Sequence, residues 1–136
     1  MRSPPATSRF RWALGRKSET PVLAQLSTIA SLTHEAALLG LSSCVSEAIV
    51  LNCARTGVKL DGLDVKAHAD IDPGPITGAK DPSDWDNTLK QITVDVTTHG
   101  DFTGDERKTI EDGAKRSPVR YMFSKTGLLK TNFHYE

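Results

Sequence analysis

The sequence has little cysteine, no surplus of either charge and no unbroken apolar run of membrane length. Two cysteines, Cys44 and Cys53, stand in 136 residues. That is too few for the disulfide framework of a small secreted scaffold. Lys plus Arg and Asp plus Glu number 17 each, so nothing in the charge balance asks for nucleic acid or an acidic partner. A chain near neutrality also has little colloidal repulsion, which leaves self-association open. No apolar run approaches the roughly 18 residues that argue a membrane helix, and no membrane is expected. A Gly-rich phosphate loop, a G-x-S-x-G elbow and a Cys–His cluster at metal-ligand spacing are all missing, so no cofactor and no metal are expected.

What is present fits one domain with a real core, since roughly two thirds of the unfolded surface is buried at this size. Residues 1–20 read as a basic arm. Arg2, Arg9, Arg11, Arg16 and Lys17 occur before the first acid, Glu19. Such a segment is either a disordered or partly ordered arm or a targeting sequence of the mitochondrial type, although Pro4-Pro5 is a poor start for an amphipathic helix. The expected compartment is the cytoplasm, with the mitochondrion as the alternative the Arg-rich opening carries. The domain proper is expected over 21–136.

Thr33 is a suitable N-cap and Gly57 a suitable C′ residue. The 23 residues between them are apolar nearly all round, and a helix apolar on most faces is buried on most faces. The pattern predicts a long central helix. "LDVKAHADI", 63–71, alternates apolar and polar and predicts a strand. "DPGPITGAKDPSDWD", 72–86, predicts a long loop, and "LKQITVDVTTHG" a second strand, antiparallel to the first. Thr103 with Glu106 has capping-box spacing and predicts a helix over 104–115. Ser117-Pro118 predicts the start of a short helix that stops at Gly127. "LLKTNFHYE" closes the chain as a strand. The expected class is α+β, a long central helix packed on an antiparallel sheet.

Two readings of Cys44 compete. It lies in the uncharged stretch Ala36–Ser46, where a cysteine serves as a small hydrophobe. As a nucleophile it must be a thiolate, which needs a nearby cation. Its sequence neighbours supply none, so Arg9, Arg11, Arg16 or a partner subunit would have to. Cys53 is nine residues further on. On one helix that is about 900° of rotation and roughly 13 Å, too far for a disulfide.

"HEAALLGLSSCVSEAIVLNCARTGVKLDGLDVKAHAD", 34–70, resembles the core of the OsmC/Ohr family of thiol-dependent hydroperoxide reductases. "FTGDERKTIEDGAKRSPVRYMF", 102–123, resembles that family's second helix and its "CPV" segment. The resemblance implies an intertwined homodimer with its sites at the subunit interface. It implies that Cys44 is the peroxidatic thiolate, oxidised to a sulfenic acid, with Glu35 as the supporting carboxylate and Arg11 as the activating cation. Its substrate would be a small organic hydroperoxide and its reductant an external thiol. The chain departs from the family in three places. Ser117 stands where the peroxidases have a resolving cysteine, the residues before the long helix lack strand alternation, and the family's arginine has no clear match beyond Arg11. These departures motivate a second reading, a non-catalytic dimer that binds a small apolar ligand.

Other candidates have plainer readings. His34 reads as exposed at the helix start. His68, His99 and His134 are spread singly, with His68 on the solvated side of its strand. Trp85 anchors its loop or covers a pocket. Tyr121, Met122 and Phe123 pack a core or an interface.

Overall fold

The computed structural model describes residues 6–12, given by their backbone, 33–72 and 74–136. Helix α1 spans Thr33–Thr56. It ends where expected: Gly57 takes φ +79°, and the Val58 amide donates to the Cys53 carbonyl at 3.0 Å. This is the six-to-one bond of a Schellman stop, which a residue without Cβ makes easily. Strand β2 (Gly62–Ile71) follows with the predicted alternation of buried and open positions. The stretch read as a loop is instead a series of short turns: α2 (Gly74–Thr77), a 3₁₀ turn (Pro82–Asp84) and α3 (Trp85–Thr88). Asp81 starts the 3₁₀ turn by accepting from the Ser83 amide at 2.9 Å.

Strand β3 (Leu89–His99) pairs antiparallel with β2. Helix α4 (Gly104–Lys115) opens with the predicted capping box. The Thr103 amide donates to Glu106 Oε2 at 2.8 Å, and the Glu106 amide to Thr103 Oγ1 at 3.3 Å. Helix α5 (Pro118–Ser124) is capped by Ser117, whose Oγ accepts from the Arg120 amide at 3.1 Å. Strand β4 (Leu129–Tyr135) closes the chain.

Two expectations are corrected. The sheet is not all antiparallel, because β4 pairs parallel with β3. The chain crosses back through α4 and α5 between them, the kind of connection that parallel neighbours require. Residues 6–12 are not a free arm. They form β1 (Ala6–Trp12), antiparallel to β2 in register from Ala6↔Ala69 to Trp12↔Leu63. Arg9-Phe10-Arg11-Trp12 does alternate, but over too few residues to stand out from the basic segment around it. The four strands run β1-β2-β3-β4 across one sheet. Residues 13–32 lie outside the described residues, and with them "PVLAQLSTIASL", 21–32, whose apolar residues suit a strand or an ordered approach to the helix.

One face of this sheet is covered by α1. Leu41, Val45 and Ile49 from the helix meet Val65, Ala67, Val94 and Val96 from the strands, all fully buried, with Ile110 and Ala114 of α4 beside them. Ser42 and Ser46 are buried in the same seam. Their hydroxyls donate to the carbonyls of Leu39 and Ser42, so neither is orphaned. α4 crosses α1 closely: a Cβ on Gly113 would lie 3.1 Å from Ile49 Cα and from Asn52 Cβ. Asn52 bridges the same crossing by donating to the Thr109 carbonyl at 2.9 Å.

The helix is not buried on most faces, as its composition suggested. Ala36, Ala37, Gly40, Glu47, Leu51, Ala54 and Arg55 form an exposed stripe opposite the core. By length and a mean hydropathy of 1.6, His34–Thr56 is also apolar enough to cross a membrane, although no apolar run is unbroken. Half of that window is buried in the fold, as in the core helix of a globular domain.

Candidate functional site

Cys44 and Cys53 share α1 and are both free thiols. Nine helical residues place them on opposite faces. Cys53 belongs to the core, at 2 % exposure. Burial pushes its thiol up to about 11, so it stays protonated and unreactive at neutral pH. Cys44 is half-buried and borders a groove of about 620 Å³.

The groove has one helical wall and one made by the α4–α5 corner. From α1 come Cys44, Glu47, Ala48, Leu51, Asn52 and Arg55. From the corner come Arg116 and Pro118, which flank Ser117 in sequence. Arg116 is the C-cap of α4, and the close Gly113 crossing brings that end of α4 to α1. The floor is apolar through Ala48, Leu51 and Pro118, and Leu51 is 61 % exposed. Arg55 donates to Asn52 Oδ1 at 2.6 Å, a neutral partner. Among the described residues, no carboxylate lies within ion-pair distance of Arg55 or Arg116.

Ser117 does not line this groove. It is fully buried and occupied as the cap of α5. Ser117 is thus a structural hydroxyl.

Glu35 and Cys44 share α1 but are nine residues apart, so within one chain they face opposite ways across about 13 Å. Position 11 lies on β1 in register with Asp64, on the sheet face turned away from the buried Leu63 and Val65. The side chain of Arg11 is outside the described residues. The structure therefore sets Cys44, Glu47, Arg55 and Arg116 around one groove, with Arg55 about 16 Å along α1 from the thiol, and one chain does not gather Glu35 and Cys44 at one point. Sequence reasoning missed both arginines. Arg55 was signalled by its spacing, eleven residues from Cys44 and on the same helical stripe; Arg116, 72 residues away, had no local signal.

The histidines are less scattered than their spacing suggests. On the outer sheet face, His68 Nε2 is 3.0 Å from Asp95 Oδ2 and His134 Nε2 is 3.7 Å from Asp95 Oδ1. Asn132 donates to Asp95 Oδ1 at 2.8 Å. Partial burial pushes the Asp95 carboxyl up, but the hydrogen bonds from Asn132 and His68 outweigh it and hold it below the usual carboxylate range. His68 is thus half-buried and paired rather than simply solvated. His34 is half-buried in the first turn of α1. Among the described residues, no group of three His, Cys, Asp or Glu side chains is arranged to hold a metal ion. Trp85 does not border the Cys44 groove; it is 36 % exposed at the start of α3.

Comparison with known proteins agrees with this architecture. No curated protein matches the chain. Among solved structures, an OsmC-like protein from Mycoplasma pneumoniae superposes with a TM-score of 0.54 at 19 % identity, over 89 % of this chain and 73 % of that one. An organic hydroperoxide resistance protein OsmC from Legionella pneumophila gives a TM-score of 0.48 at 12 % identity, over 75 % of this chain and 66 % of that one. Residues 33–130 match the family described as OsmC-like protein. That span holds α1, the Cys44 groove, β2, β3, α4 and α5, and the chain belongs to the OsmC family.

Proposed function

We propose that the protein is a one-cysteine hydroperoxide reductase with Cys44 as its nucleophile. Membership of the OsmC family supports a peroxide-related redox role. The observation that supports the finer reading is the placement of Cys44: it is the half-exposed thiol of the two, at the edge of a groove large enough for a small organic molecule, whereas Cys53 is buried. The Cys44 thiolate attacks the distal oxygen of the hydroperoxide. The O–O bond breaks, the alcohol leaves with a proton, and Cys44 becomes a sulfenic acid. An external thiol attacks that sulfur, forms a mixed disulfide and releases water. A second equivalent of the thiol displaces the first as a disulfide and regenerates Cys44. The external reductant is required because Ser117 is a buried helix cap and forms no disulfide.

The exposed stripe of α1 supports a homodimer, since Leu51 there and Tyr121 and Met122 on α5 are all more than half exposed. Supporting roles for Glu35 and Arg11 belong to such an assembly, because one chain sets Glu35 and Cys44 on opposite sides of the helix. The Ser117 substitution favours a second reading, a dimer that binds a small apolar ligand without turning it over. Intact-mass spectrometry after stoichiometric cumene hydroperoxide separates the two. The reductase reading expects rapid addition of one oxygen, absent in Cys44→Ser. Oxidation no faster than that of a free thiol sinks it in favour of the binding reading.

A further inference from the structure

We infer that Arg116 is the cation that serves Cys44, supplied by the same chain from the corner between α4 and α5. This rests on the proposed reading of Cys44 as the nucleophile, and adds to it the residue that opposes the negative charge of the reaction.

The register of α4 on α1 sets the level at which Arg116 stands. Asn52 of α1 donates to the Thr109 carbonyl at 2.9 Å. One turn further along α4, a Cβ on Gly113 would lie 3.1 Å from Ile49 Cα and 3.5 Å from the Ala48 carbonyl oxygen. A turn forward on α4 thus corresponds to a turn back on α1, so the two helices run antiparallel and keep pace. The next turn brings Ser117 level with Cys44. Ser117 itself is turned inward, fully buried as the cap of α5. Its neighbours Arg116 and Pro118 are turned outward, and both border the groove that Cys44 borders. The backbone beneath Arg116 is fixed at this level. Its amide donates to the Gly113 carbonyl at 3.1 Å, and the Ser117 amide to the Ala114 carbonyl at 3.2 Å.

Other cations on these elements are committed elsewhere. Arg55 lies about 16 Å along α1 from the thiol and donates to Asn52 Oδ1. Lys115 lies 3.4 Å from Asp112. Arg107 stacks over the Tyr135 ring at 4.7 Å, and Arg120 donates to Thr131 Oγ1 at 3.2 Å. Arg116 has no carboxylate partner among the described residues. Glu47, one turn from Cys44 on α1, also borders the groove. Its charge opposes a thiolate, so the favourable charge has to come from the facing wall. The guanidinium keeps its proton throughout. It faces negative charge first on the Cys44 sulfur and then on the departing alkoxide oxygen, which takes its proton from water as the O–O bond breaks. Because Arg116 and Cys44 belong to one chain, this arrangement does not depend on a second copy at the exposed face of α1.

The test follows oxidation of the full chain by cumene hydroperoxide with intact-mass spectrometry. Arg116→Gln should be about tenfold slower than the parent, 1.4 kcal/mol in the barrier. Arg116→Lys keeps the point charge and should return to within about threefold of the parent. Lys115→Gln removes a neighbouring charge of the same sign and should stay within about twofold. Charge at the sulfur is read independently by the ratio of rates toward an anionic aromatic disulfide and a neutral pyridyl disulfide. That ratio should fall about threefold in Arg116→Gln and recover in Arg116→Lys, which a merely misfolded variant does not produce. Parent-like oxidation in Arg116→Gln overturns the inference. So does a lysine variant as slow as the glutamine one, or an equal loss in Lys115→Gln. The two readings fail separately. A parent that oxidises no faster than a free thiol removes the peroxidase, while the disulfide ratio still reports on Arg116; a parent-like glutamine variant removes this inference and leaves Cys44 oxidation standing.

Discussion

Cys44 and Cys53 are the same side chain on the same helix, nine residues apart, and they live in different solvents. Cys53 is sealed between α1 and the sheet, and burial raises its thiol to about 11. Cys44 stands at the edge of a groove that Arg55 and Arg116 also border. Half a helical turn separates a packing atom from a candidate nucleophile. Residue type and helix are the same at the two sites; the neighbouring elements differ. Cys53 faces the sheet, whereas Cys44 faces the α4–α5 corner.

The largest effect is expected from the helix crossing that brings this corner to the groove. Gly113→Val places its Cβ 3.1 Å from Ile49 Cα, with two methyl groups beyond. Overpacking of this kind costs about 1–3 kcal/mol, read as a lowered urea midpoint. It should also displace Arg116 and so disturb the Cys44 side more than the Cys53 side. Next is the exchange of each thiol for a hydroxyl. Cys53→Ser buries a polar group in the core and should cost about 1–3 kcal/mol on urea unfolding. Cys44→Ser should change stability by less than about 0.5 kcal/mol, as a partly exposed position does. Equal costs would mean that Cys44 is buried in the working protein, as a second copy on α1 would make it.

Alkylation sharpens the same comparison without mutation. At pH 8, well below the Cys53 value of about 11, the native chain should take up one iodoacetamide adduct, on Cys44. In denaturant it should take up two, as intact-mass spectrometry would show. The smallest effect is expected on the outer sheet face, remote from both cysteines. The Asp95 carboxyl is lowered in the folded state. Its contribution is therefore present above the unfolded carboxylate value near 4 and is lost as pH falls through the lower folded one. Asp95→Asn should flatten that acid limb by less than about 1 kcal/mol, since the pair is partly exposed. Thermal melts from pH 2 to pH 6 would show it.

Local features were legible because their causes are local. The Thr103–Glu106 box, the Ser117–Pro118 start and the Gly57 stop each use a side chain or a backbone freedom within a few residues of the helix end. β2 and β3 announced themselves by alternation, since each buries one face. β1 did not, because the alternation in "ATSRFRW" spans only Arg9 to Trp12 within a run of basic residues. The direction of β4 was hidden too, as direction follows from the α4–α5 crossover and not from the strand's residues. At the candidate site, Cys44 was singled out by the family resemblance, since its uncharged setting in α1 by itself reads as that of a packed cysteine. The cluster at Asp95 was not, since His68, Asp95 and His134 come from three strands.

The sequence by itself determined where α1, α4 and α5 begin and end, which faces of β2 and β3 turn inward and that one apolar helix organises the chain. Those choices follow from short-range hydrogen bonding and from the 3.6 and 2.0 periods of side-chain direction. It also placed both cysteines on that helix, on opposite sides of it. Which side becomes core and which becomes groove was decided by the tertiary structure. Burial belongs to whatever packs against a face: the sheet closes over Cys53, while Gly113 lets α4 approach and carry Arg116 to the wall opposite Cys44.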